Sequence, residues 1–192
     1  MLDSLTKALE EQVRDLYSAE TQLIKALPRM AKAATSESLR DAFTSHLEET
    51  HGQVERLQQI AEMLGVKPGG KKCKAMEGLI EEGKEVLEEE GDEAVLDLAL
   101  TGAAQRVEHY EIAAYGSACA MAAQLDLRKV VTLLEKSLHE ETAADEKLNG
   151  LAEAELLPAA AMVRSSADVA ATNGRVRSRQ GAGMASAARA KR

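Results

Sequence analysis

Tryptophan is absent from the 192-residue chain, and its aromatic residues are Phe43, Tyr17, Tyr110 and Tyr115 alone. A core so poor in rings must be built from aliphatic side chains. β-Branched residues are few and strand-like alternation is missing, which excludes a sheet protein. No apolar run approaches the roughly 18 residues that a membrane-spanning helix needs. The two cysteines, Cys73 and Cys119, lie in different segments without C-x-x-C spacing. That excludes a zinc ribbon or a disulfide scaffold and leaves free thiols. The opening Met1-Leu2-Asp3-Ser4 has neither the basic nor the apolar part of a secretory leader, so a cytoplasmic, soluble protein is expected.

What the chain does contain is Ala, Leu and charge. Hydrophobic residues make up 45% of it, enough for a real core, and the commonest are strong helix formers. Leu2, Leu5, Leu9, Val13, Leu16, Leu23, Leu27 and Met30 recur every three or four residues and predict a first helix over 3–33. Pro28 should kink or break it near its end. A second helix is predicted over 37–64 from Leu39, Phe43, Leu47, Val54, Leu57, Ala61 and Leu64, with Gly65 as its stop. The short turn between the two makes an antiparallel hairpin. Residues 66–91 form a long connection whose centre, Met76 to Leu87, carries a short amphipathic helix expected to lie across the bundle. An Ala-rich helix over 92–123 follows. Asp126 is placed to cap the last, over 127–156, which Pro158 should end.

Hairpin, long crossover, hairpin is the connectivity of ferritin-like antiparallel four-helix bundles. That all-α fold is expected for residues 1–157. Residues 158–192 are a different object. Arg164, Arg175, Arg177, Arg179, Arg189, Lys191 and Arg192 stand against Asp168 alone, so the segment is +6 and the remainder −14 within a net charge of −8. Rich in Ala, Gly and Ser and without periodicity, it is expected to be a disordered basic tail.

The functional signal is polar residues where leucines should be. Glu20 falls on the apolar stripe between Leu16 and Leu23. In the last helix, positions 127, 131, 134, 138, 141, 145, 148 and 152 put Glu141 and Asp145 in two consecutive core places. In the third, Glu108 and Glu111 share a face with Ala104 and Tyr115, and Arg106 is the other charge nearby. Glu48 and His51 form Glu-x-x-His in the second helix, His51 at the edge of its stripe and Glu48 further round. A buried unpaired carboxylate costs several kcal/mol or stays protonated. Any one glutamate on an Ala-rich helix is usually a solvated residue, and Glu-x-x-His alone is weak. The conjunction across four helices at compatible height is what a pair of divalent cations would explain. Di-iron and di-manganese bundles use a Glu from each of two helices and Glu-x-x-His from each of the other two. Here Glu141-x-x-x-Asp145 departs from that pattern. Tyr17 and Tyr115, one turn away, are either supporting donors or packing residues. His46 and His109 read as surface or supporting positions, His139 and Glu140 as surface.

The segments Leu16-Tyr17-Ser18-Ala19-Glu20, His46-Leu47-Glu48-Glu49-Thr50-His51, Val107 to Gly116 and Glu140 to Asp145 resemble the YciE/YciF-type bacterial stress proteins, which are ferritin-like. Glu108-His109-Tyr110-Glu111 is also similar to the third helix of rubrerythrins, where two glutamates three apart serve a di-iron centre. The resemblance covers about 3–157. It implies Glu20, Glu48, His51, Glu108, Glu111 and Glu141 as ligands of two iron ions, with manganese or zinc as alternatives. Rubrerythrins have a histidine where this chain has Ala144, so Asp145 is taken as the substitute ligand. No rubredoxin-like cysteine motif supplies electrons.

Two functions follow. One is a di-iron oxidoreductase acting on O2 or peroxide, as a ferroxidase or peroxide scavenger. The other is a metal-binding or structural stress protein without turnover, whose tail contacts nucleic acid weakly through phosphates. A homodimer is expected from the apolar flanks and the amphipathic crossover helix.

Overall fold

The computed structural model describes residues 2–163. Six α-helices and one π-helical turn account for most of them: α1 (Leu5–Ala33), α2 (Glu37–Met63), α3 (Lys74–Glu88), α4 (Glu93–Gln124), α5 (Arg128–Leu151), the π-turn Ala152–Leu156 and α6 (Leu157–Met162). The expected basic tail lies, beyond its first six residues, outside the described part.

Local chemistry sets the ends of the helices. Ser4, Ser36 and Asp92 cap α1, α2 and α4 with side-chain oxygens that accept from otherwise unpaired N–H groups. Helix α2 stops at Gly65, which takes φ +70° and lets the Val66 N–H reach the Ala61 carbonyl at 2.9 Å. Asp126 behaves differently from expectation. It adopts φ +55° and closes the end of α4, while α5 begins after Leu127 without a side-chain cap. The prolines are also milder than expected. Helix α1 continues past Pro28 to Ala33, and the chain stays helical past Pro158 to Met162. Pro158 sits in the first turn of α6, just after the π-turn, where a missing N–H costs little.

The four long helices form a square in which α1 touches α2 and α4, and α5 touches the same two. The end of α1 and the start of α2 meet the start of α4 and the end of α5, through Leu27, Leu39, Phe43, Leu100 and Leu148. The start of α1 and the end of α2 meet the end of α4 and the start of α5, through Leu9, Val13, Leu57, Ile60, Ala118 and Leu134. Every adjacent pair is therefore antiparallel, and the core consists of two apolar halves. Helix α3 lies over α1 and α4, anchored by Met76 and Cys73. At one end, buried Asp97 of α4 accepts from the backbone N–H groups of Thr35 (3.0 Å) and Ser36 (2.7 Å) and from the Thr35 hydroxyl (2.6 Å). This ties the first hairpin to the second. The fold is the ferritin-like bundle that the hairpin–crossover–hairpin order predicts.

Candidate metal centre

Between the two apolar halves lies a layer of buried polar side chains. Helix α1 contributes Glu20, α2 His46, Thr50 and Gln53, α4 Glu108 and Glu111, and α5 Glu141; none is more than 5% exposed. Each falls there because its helix keeps its buried phase through the waist. In α4 the buried positions run Ala104, Val107, Glu108, Glu111, Ala114, Tyr115 and Ala118. In α5 they run Val130, Leu134, Ser137, Glu141 and Leu148.

His46, Glu108, Glu111 and Glu141 each offer a ligand atom, and these atoms lie within 4.8 Å of one another. His46 Nε2 is 3.5 Å from Glu108 Oε2 and 3.6 Å from Glu141 Oε2. Glu20 stands beside the group, with one oxygen accepting from the Tyr115 hydroxyl. The Gln53 amide donates to Glu141 and, at 3.3 Å, to Glu140. Arg56 binds Glu140 and, through Nε, the Ser137 hydroxyl at 3.0 Å. It is the one buried lysine or arginine among the described residues. On the outer side, His46 Nδ1 meets Glu49 at 3.3 Å.

Sequence reasoning placed some of these and misplaced others. Glu20, Glu108, Glu111 and Glu141 are inside, as the interrupted stripes require. Glu48 and His51 are not: both face solvent. The inner face of α2 runs through Phe43, His46, Thr50, Gln53 and Leu57, while Leu47 and Val54 are only half-buried. Asp145 is also outside the group. It sits at the rim, 22% exposed, with His109 Nε2 at 3.3 Å and the Gln105 amide at 3.4 Å. His46, Gln53, Arg56 and Glu140 were not read as site residues. The signal for His46, Gln53 and Arg56 is the three- and four-residue spacing from Phe43 to Leu57, whereas Glu140 of α5 has no such signal. Arg106, the other charge nearby in α4, is exposed.

The electrostatics are unfavourable as the layer stands. Burial, then the charge of Glu141, holds Glu20 well above the usual carboxylate range. Burial and Glu141 do the same to Glu108, and burial and Glu20 to Glu111. Burial also raises Glu141, against the pull of His46. Tyr115 is pushed far up by burial and the adjacent Glu20, so its hydroxyl stays neutral and donates. Among the described residues, Glu20 Oε2, Glu108 Oε2, both Glu111 oxygens, Glu141 Oε2 and His46 Nε2 have no hydrogen-bond partner. Buried polar atoms left unpaired in this number are rare, and those of a native structure call for an explanation. Carboxylate oxygens and an imidazole nitrogen are donors suited to iron, manganese or zinc. The group is compatible with metal binding.

A larger cavity of about 250 Å3 lies between α1, α3 and α4, lined by Leu23, Met30, Leu79, Ile80 and Leu87. It is apolar and contains none of these carboxylates. A smaller one of about 100 Å3 opens between α2 and α5 and reaches His46 and Glu108. No helix of the described residues is long and apolar enough to cross a membrane.

Comparison with known proteins gives the same fold and a family. The chain is 52% identical over 139 residues to Protein YciF of Escherichia coli strain K12, a match covering 72% of this chain and 84% of that protein. The crystal structure of the E. coli stress protein YciF superposes with a TM-score of 0.76 at 48% identity, over 78% of this chain and 95% of that one. YcfI of Rhodopseudomonas palustris gives 0.75 at 47% identity, over 77% and 94%. A Bacillus anthracis protein described as ferritin-like and diiron-carboxylate gives 0.62 at 19% identity, over 78% and 99%, a likeness of fold. The model of the family described as a domain of unknown function, DUF892, matches residues 4–161, and this chain belongs to that family.

Proposed function

We propose that the polar waist is a two-ion carboxylate centre, filled by iron, and that the protein is a stress-response oxidoreductase acting on O2 or peroxide. One observation carries the reading: unpartnered carboxylate oxygens from α1, α4 and α5 converge with an unpartnered imidazole nitrogen from α2 in a buried layer. Divalent cations offset the mutual repulsion that burial otherwise relieves only by protonation. The descriptions of YciF as a stress protein and of the B. anthracis protein as diiron-carboxylate support the setting.

His46, Glu108, Glu111 and Glu141 would hold the ions, with Glu20 as the fifth ligand from α1. Bound iron would supply the electrons that reduce O2 or peroxide. The chain's own residues do the rest. Glu49 accepts from His46 Nδ1–H and so leaves Nε2 as the inward-facing lone pair. Tyr115 holds one oxygen of Glu20 and leaves the other free. Gln53 orients Glu141, and Arg56 anchors Glu140 behind it. The apolar halves on either side keep bulk water away.

The alternative is a protein that binds metal, or only protons, without turnover. It is favoured by the donor set: His46 is the one nitrogen ligand, and three residues before it, where Glu-x-x-His has its carboxylate, α2 carries Phe43. Elemental analysis after anaerobic Fe2+ loading tests the centre. Two ions per chain are expected, retained in Glu48→Ala and lost in Glu111→Ala. Iron oxidation no faster than in buffer, with full loading, would establish the non-catalytic form.

A further inference from the structure

The centre is closed on most sides. Glu20, Glu111 and Glu141 have no exposed surface, whereas His46 and Glu108 keep 5% and 3%. Those two line the small cavity between α2 and α5. Its α5 side is lined by Ala143, Ala144, Lys147 and Leu148; the two alanines are the smallest side chains that a helix can place there without glycine, and Lys147 is the cation beside Glu49. Ala144 lies one turn beyond Glu141 and one turn before Leu148. A leucine there would fill the gap that alanine leaves. At the lip, Glu49 is 42% exposed on its side chain and bonded to His46. The sequence from outside to inside is therefore an exposed carboxylate, an imidazole and a buried carboxylate. The larger cavity by α3 offers an ion no such acceptors, since its lining is mostly aliphatic with Lys25, Arg29 and Lys84 at the edge.

We infer that this window is the entry port of the centre: divalent cations are drawn to Glu49 at its mouth and pass between Ala143 and Ala144 on one wall and Ser45 on the other to His46 and Glu108. The inference rests on the two-ion reading above. It separates rates from equilibrium. A side chain that narrows a passage raises the barrier for entry and exit alike and leaves their ratio unchanged, whereas loss of a ligand changes the ratio. Removing the charge of Glu49 while keeping an acceptor for His46 should slow entry and weaken its dependence on salt, because it is the steering field that salt screens.

The test uses the full chain and Co2+ as probe. Loading is followed by stopped-flow absorbance, release by transfer to a coloured chelator, and stoichiometry by elemental analysis. Ala144→Leu is expected to slow loading and release by about tenfold or more each, with unchanged stoichiometry and affinity. Ala143→Leu, nearer the surface, repeats the test with less risk to folding, and circular dichroism verifies both variants. Glu49→Gln should slow loading a few-fold and flatten its salt dependence. Ala113→Leu, on the exposed side of α4, should load like the parent. Parent-like rates in both Ala143→Leu and Ala144→Leu, with full stoichiometry, would overturn the port and leave the centre standing. Failure of the parent to bind Co2+ at all would remove the centre and the port together.

Discussion

Glu111 shows most sharply what the waist costs. It is wholly buried, both oxygens lack partners, and burial with the charge of Glu20 keeps it well above the usual carboxylate range. Replacing a strained buried ionisable group by an apolar one of similar volume is often neutral or stabilising. Glu111→Met is therefore expected to stabilise the metal-free protein, by about 1–3 kcal/mol in urea titration, while abolishing metal uptake. A loss of stability would mean that Glu111 makes interactions the geometry does not contain. The sign of the pH dependence follows from the same group. Glu20, Glu108, Glu111 and Glu141 all have raised values in the fold, so the folded state binds more protons than the unfolded chain above the ordinary carboxylate value. Their contribution is fully present at low pH and is lost as pH rises through the folded values. Metal-stripped protein should melt at lower temperature at pH 8 than at pH 6. Metal binding must expel those protons, so affinity should rise over the same interval. Isothermal titration in buffers of different ionisation enthalpy would count the protons released.

At the scale of the helix, legibility depended on how apolar each buried face is. Helices α1 and α4 pack leucine and alanine on both sides of their carboxylates, so Glu20, Glu108 and Glu111 stand out as interruptions of a clear stripe. Helix α2 is polar on its inner face for three successive places, His46, Thr50 and Gln53. The apolar residues nearest in sequence, Leu47 and Val54, belong to its flank and pull the apparent phase round, which carries Glu48 and His51 towards the core. The same slip of one position in α5, from Val130 and Ser137 to Val131 and Leu138, makes Asp145 look internal. A hydrophobic pattern reports the boundary between oil and water, and a buried polar layer erases that boundary where the function lies. The junction of the hairpins is another element that periodicity does not reveal. Asp97 accepts three hydrogen bonds from the α1–α2 turn across 61 and 62 residues of sequence. Asp97→Ala leaves those donors buried and unpaired and is expected to cost about 1–3 kcal/mol. Asp97→Asn, which keeps one acceptor, should cost less; equal losses would point to charge as the cause.

For the whole molecule, the two ions are expected to act as a structural link as well as a reagent. A ligand that binds only the folded chain stabilises it by about 2.7 kcal/mol at a hundredfold excess over its dissociation constant. Differential scanning calorimetry should therefore show the melting temperature rising with Fe2+ or Mn2+ in the parent but not in Glu111→Met. The arrangement of the core gives this coupling a particular form. Each apolar half draws side chains from both hairpins, so neither hairpin owns a core of its own. The halves meet through the carboxylate layer and at Tyr110, which packs against both. Without a cation, then, amides near Leu27 and Leu148 and amides near Leu57 and Leu134 should exchange with deuterium as two separate units. Once the layer is bridged they should exchange as one, and the centre would be the keystone that makes unfolding a single event.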